Sequence, residues 1–223
     1  MKTIESPTKP AILARLRNSR GFSLIEMAIV LVIIGIIIAA IIKGQDLMVN
    51  SRAKQLVSTA NAWKIATFGY MDRNGKFPGA NALGEIDSTT PDGGAIASIQ
   101  SSMPQAPKNP VVIGGQSFYF YFGGADATQN VWRNVIVVCS SALCTNLLSI
   151  EDVEMMKALD TAMDGSSDAK AGLVRAIKVT GGITAGGDNT GSAKIPYASI
   201  EGTKTEWLST DHYGAVWAFD KPF

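Results

Sequence analysis

Little in this sequence points to chemical turnover. Histidine occurs once, as His212, and cysteine twice, as Cys139 and Cys144. One imidazole and a lone C-x4-C fall short of the ligands that a tetrahedral zinc site needs. GxSxG, Walker A, HExxH and CxxC are all missing, and the glycine-rich run Gly181–Gly191 lacks the Lys-Ser/Thr of a phosphate loop. No catalytic residue, cofactor or metal ligand can be nominated, so the chain reads as a non-enzyme. A surplus of charge is missing too. The formal net charge is +1, which gives no global field for nucleic acid or an acidic partner.

Apolar residues are present in ordinary amount but unevenly spread. Phe22–Ile42 is an unbroken apolar run with one ionisable side chain, Glu26. As a helix it covers roughly 30 Å, the thickness of a hydrocarbon core, and it exceeds the apolar region of a simple cleaved export signal. Lys2, Lys9, Arg15, Arg17 and Arg20 precede it against Glu5 alone. This bias holds the N-terminus in the cytoplasm and exports the remainder. In an oxidising compartment Cys139 and Cys144 can close a disulfide across a tight loop; two reduced, buried cysteines are the alternative.

Beyond Lys43 the apolar run stops while helical periodicity continues. Leu56, Ala60, Trp63, Thr67 and Tyr70 recur at spacings of four and three, with Arg52, Lys54, Gln55, Ser58, Asn61 and Lys64 opposite. The pattern predicts one helix from Phe22 to about residue 71, roughly 70 Å long, ended by Asp72-Arg73-Asn74-Gly75 and Pro78-Gly79. Residues 72–116 read as a long ordered loop with one short helix. Ser117–Phe122 alternates phenylalanine and tyrosine as a strand with two different faces. Val131–Cys139, Gly172–Thr180 and Ala215–Phe219 are further strands. Ser149 and Asp152 have capping-box spacing for a helix through about Met163 that stops at Gly165. Gly181–Ser192 reads as a mobile surface loop.

The tract Arg20-Gly21-Phe22-Ser23-Leu24-Ile25-Glu26-Met27, after a basic leader and before an unbroken apolar span, resembles the processing site of type IV prepilins and of type II secretion pseudopilins. The resemblance is specific over residues 15 to about 45 and weaker to Tyr70. It implies an α+β pilin-like fold, with a long N-terminal helix packed on an antiparallel sheet. The domains would be a cleaved leader at 1–21, a transmembrane and assembly helix at 22–42, its amphipathic continuation at 43–71, and an exported globular domain at 72–223. It further implies cleavage between Gly21 and Phe22 by prepilin peptidase, and N-methylation of Phe22. Implied partners are other pilin or pseudopilin subunits, an inner-membrane assembly platform and membrane lipid. The implied location is the bacterial inner membrane, then a pilus or periplasmic fibre.

Glu26 is expected either to pair with the cationic Phe22 amine of a neighbouring subunit or to snorkel to the interface. Its place in the first turns, near the positive end of the helix dipole, lowers its cost. Gly35 suits either local helix flexing or close helix packing. The tract Tyr70–Gly79 resembles a Tyr, Asp, Gly, Pro-Gly pattern of some prepilin-like proteins, with Ala80 where those often carry Asp; ordinary turn chemistry explains it equally. His212 reads as a surface or edge histidine, and Asp160, Asp164 and Asp168 as acids separated by Gly165 rather than a calcium loop. Lys43, Arg52, Lys54 and Lys64 could touch nucleic acid, though a solvated face or lipid headgroups suit them better. Three functions stay open: a pilus subunit, a secretion pseudopilin, and an uncleaved single-pass protein with a periplasmic binding domain.

Overall fold

The computed structural model describes residues 21–78, 95–126, 132–180, 183–185, 192–221 and 223. The basic leader therefore lies outside the described residues up to Arg20, as do Gly79, Ala80, Pro91 and much of the 181–192 segment. The chain divides into two compact parts, residues up to Gly44 and residues from Gln45 on.

Helix α1 spans Leu24–Asn74. It ends where the sequence supplies a residue free to adopt the left-handed region: Gly75 has φ +71°, and its N–H donates to the Met71 carbonyl at 2.7 Å. Within the second part, α1 buries Ala53, Leu56, Ala60, Trp63, Ala66 and Thr67, a stripe at three- and four-residue spacing. Thr67 is tolerated there because its hydroxyl donates to the Trp63 carbonyl at 2.8 Å. The expected stripe is thus observed, with Tyr70 only partly buried at its end.

The sheet is built from β1 (Val111–Ile113), β2 (Gln116–Asp126), β3 (Trp132–Cys139), β4 (Val174–Ile177), β5 (Thr184–Ala185), β6 (Ser192–Ile195) and β7 (Gly214–Ala218). Strand order is β4-β7-β3-β2-β6-β5, with β1 also on β2. The pairings are antiparallel except β2 with β6, which run parallel with Phe122 opposite Ser192. Within the expected loop at 181–192, Thr184–Ala185 forms strand β5 on β6 instead. Between the stretch of β2 paired with β1 and the stretch paired with β6, the Asn109 side chain substitutes for a strand. Its amide donates to the Phe120 carbonyl at 2.9 Å, and its oxygen accepts the Phe120 N–H at 2.8 Å.

Alternation along the strands makes two cores. Phe118, Phe120, Phe122, Ile136, Val138, Ala215 and Trp217 pack in the cluster that holds Leu56 and Trp63 of α1. Tyr121, Val135, Val137, Val216 and Ala218 belong to a second cluster with Cys139, Cys144, Ile183, Ile195 and Ile200, against which Tyr119 packs. Phenylalanine and tyrosine of β2 thus face opposite ways, as period two requires. Trp63 meets Phe122 edge-on, with ring centroids 5.3 Å apart.

Two shorter helices complete the first cluster. Helix α2 (Ala95–Ser102) contributes Ile96 and Ile99. Helix α3 (Ile150–Asp164) starts at the predicted capping box: the Ser149 hydroxyl accepts the Asp152 N–H, and the Asp152 carboxylate accepts the Ser149 N–H, both at 3.1 Å. It stops at Gly165, φ +84°, whose N–H donates to the Thr161 carbonyl at 3.0 Å. The layout is α+β and pilin-like, a long N-terminal helix packed on a mainly antiparallel sheet.

Candidate assembly and processing segment

Gly21 and Phe22 lie just before α1 and are exposed, with Phe22 at 71%. The first intrahelical bond runs from the Met27 N–H to the Ser23 carbonyl at 3.2 Å. Ser23 is therefore the N-cap and Glu26 the third helical residue, so the acid sits among N–H groups that have no partner within the helix. Ser23-x-x-Glu26 also has capping-box spacing, a second signal for the helix start that the sequence reading passed over.

From Leu24 through Met48 every side chain is exposed, although the run is almost wholly apolar. In water each large aliphatic side chain left uncovered forgoes roughly 1.5–3 kcal/mol. Length and composition suffice for this part of α1 to cross a membrane. The helix is unbroken through Gly35, where an added Cβ would meet nothing within 4 Å.

Cys139 and Cys144 form a disulfide with a Cα–Cα distance of 5.1 Å. Cys139 ends β3, and the chain turns back through Leu143 and Cys144, both at positive φ. The Leu143 N–H donates to the Tyr121 hydroxyl at 2.9 Å. Gly214 opposite leaves the room: a Cβ there would lie 2.7 Å from the Val138 carbonyl oxygen and 3.1 Å from each sulfur.

Of the basic residues singled out in the sequence, Arg52 pairs with Glu151 at 2.9 Å and Lys64 lies 5.1 Å from the centroid of the Trp217 ring. Both have work inside the fold. His212 departs from expectation, being fully buried rather than at a surface or edge. Its Nδ1 accepts the Leu208 N–H at 2.9 Å, so the proton of the neutral ring sits on Nε2, which lies 3.5 Å from Glu201 Oε2. Burial holds the imidazole below its ordinary pKa, partly offset by Glu201. For Glu201, burial pushes the carboxyl up, but bonds from the Thr203 hydroxyl and the N–H groups of Thr203, Lys204 and Gly202 outweigh it and leave it at about 2. Glu201 was missed in the sequence because Glu-Gly-Thr-Lys reads there as an exposed polar turn.

Residues 16–42 match the family model for the prokaryotic N-terminal methylation motif, the signal carried by type IV prepilins and pseudopilins. Neither the comparison with curated proteins nor that with solved structures gave a match. The matched residues take in the end of the basic leader, Gly21, Phe22, Glu26 and the apolar run to Ile42. The motif supports a pilin- or pseudopilin-like precursor, and the helix it lies on is long and apolar enough to anchor the chain in a membrane.

Proposed function

We propose that this chain is a structural subunit of a type IV pilus or pilus-like fibre, the short pseudopilus of type II secretion included. The observation that carries the reading is the coincidence of the methylation motif at 16–42 with an apolar helical run that stays exposed among the described residues. Prepilin peptidase removes residues 1–21 on the cytoplasmic face, and the new amine on Phe22 is methylated. Gly21, without a side chain, lets the backbone enter a narrow protease cleft. Until assembly, the 22–42 segment is held in the inner membrane with the 72–223 domain in the periplasm and residues 43–71 continuing the helix between them.

Assembly then exchanges lipid for protein around the same side chains. Apolar helices of successive subunits bundle, which leaves the Glu26 carboxylate among aliphatic groups where an unpaired charge costs several kcal/mol. The Phe22 amine of a neighbouring subunit satisfies it, fixing the axial register between copies as well as the energy. The disulfide suits an exported domain. An assembly platform supplies the work of extraction from the bilayer.

Intact mass and N-terminal sequencing of the protein from cells with and without prepilin peptidase test this. The expected result is a chain starting at Phe22, heavier by one methyl, only when the peptidase is present. A chain that retains residues 1–21 in both cells overturns the reading in favour of an anchored periplasmic domain. For Glu26→Ala the expected result is correct cleavage with little incorporation into fibres; normal incorporation would sink the pairing.

A further inference from the structure

The C-terminal turn of α3 holds polar groups for which the fibre reading has no use. Asp160 is fully buried. Its Oδ2 accepts two hydrogen bonds, from the Trp207 indole N–H at 2.9 Å and the Asp168 N–H at 2.8 Å. Its Oδ1 is shielded from solvent and accepts none. The Asp164 carboxylate, one turn further along the same face of the helix, lies against it. Asp164 is itself committed to the loop that follows, accepting the Leu173 N–H at 2.8 Å on Oδ2 and the Ser166 N–H at 3.4 Å on Oδ1. Asp168 turns its carboxylate away, to the N–H of Lys170 at 3.1 Å.

Two adjacent carboxylates, one with a solvent-free oxygen lacking any partner, cannot both stay ionised cheaply. A cationic side chain, a metal ion or a proton would relieve them. Among the described residues neither carboxylate takes part in an ion pair, and no three His, Cys, Asp or Glu side chains converge as a metal site requires. We propose that Asp160 and Asp164 form a proton-binding site, in which one proton on Oδ1 of Asp160 is donated to the Asp164 carboxylate and holds Asp164 where it accepts the N–H groups of Ser166 and Leu173.

Burial pushes the Asp160 carboxyl up to about 7, opposed by the Trp207 bond and reinforced by the charge on Asp164. Because this lies above the ordinary 3.8, the folded chain holds the proton more tightly than the unfolded one. The contribution to stability is therefore full below about pH 4 and lost as pH rises through about 7. The charged and titratable groups around the site are few. Asp164 faces it from α3, and Asp168 from the loop through its N–H alone. Arg175 of β4 is felt by Asp168, while His212 stands behind the Trp207 ring at 5.7 Å with Glu201 beyond it. His212 titrates with the opposite sign: its lowered pKa makes its contribution present above about 6.5 and lost in acid.

The test uses the full chain in detergent micelles and does not depend on whether it forms fibres. Infrared spectroscopy should show a buried carboxylic acid band at about pH 5.5 that disappears with a midpoint near 7 and is missing from Asp160→Asn. Amide exchange at Leu173, corrected for intrinsic rates, should be about tenfold faster at about pH 8.5 than at 5.5 in the parent, and nearly unchanged in Asp160→Asn. The asparagine amide can donate to Asp164 at every pH. No titrating band in the parent, or one that survives Asp160→Asn, overturns the proposal even if the variant folds poorly. So does protection at about pH 8.5 that calcium restores and EDTA removes, which would make the pair a cation site.

Discussion

The two stretches of α1 invert the usual relation between apolarity and burial. Between Leu24 and Lys43 nearly every residue is aliphatic and none is buried; between Ala53 and Thr67 apolar residues alternate with polar ones, and Ala53, Leu56, Ala60, Trp63 and Ala66 lie at 5% exposure or less. Composition alone would assign the core to the wrong stretch. What separates them is angular distribution: the second has one apolar face, turned to the core it shares with the sheet, α2 and α3, whereas the first is apolar all round, as a helix in lipid or in a bundle must be.

Substitutions on the two stretches can break that contrast. The largest effect is expected for Trp63→Ala, which empties a fully buried site against Phe120 and Phe122 and should cost about 4 kcal/mol in urea unfolding of the full chain in micelles. A cost below about 1 kcal/mol would mean that α1 is not integral to this core. Ile33→Lys should leave that unfolding midpoint unchanged while weakening membrane insertion by about 3 kcal/mol, read as the fraction of chain recovered with membranes. A shifted midpoint would show that the apolar stretch has a partner in its own chain. The smallest effect belongs to Ile65→Lys, on the outer face of the second stretch at 70% exposure. Its stability should stay within about 0.5 kcal/mol of the parent.

Most of the fold was legible wherever a local pattern carries it. The α1 stripe, the Ser149–Asp152 box, the Gly165 stop and the opposed phenylalanines and tyrosines of β2 are periodicity or capping chemistry confined to a few neighbouring residues. The N-terminal signal was legible for the same reason, since leader, Gly21, Phe22, Glu26 and apolar span are consecutive. What escaped depends on distant partners. Trp207 reaches Asp160 across 47 positions, and His212 is buried because Glu201 and the 208 backbone meet it there. The parallel pairing of β6 with β2 has no local signature, because register between remote strands is settled by what the rest of the sheet leaves free.

Gly114 also joins distant parts of the molecule. A Cβ on it would fall 2.2 Å from Arg52 Nε, so the guanidinium occupies the room that a larger residue would claim, and φ +59° independently favours glycine. Arg52 carries that contact from the β1–β2 turn across α1 to Glu151 at the start of α3. Positions 52, 114 and 151 therefore meet in one chain of contacts. A side chain placed at 114 should push the Arg52 guanidinium aside and release Glu151, so a change in the β1–β2 turn is felt at the first turn of α3.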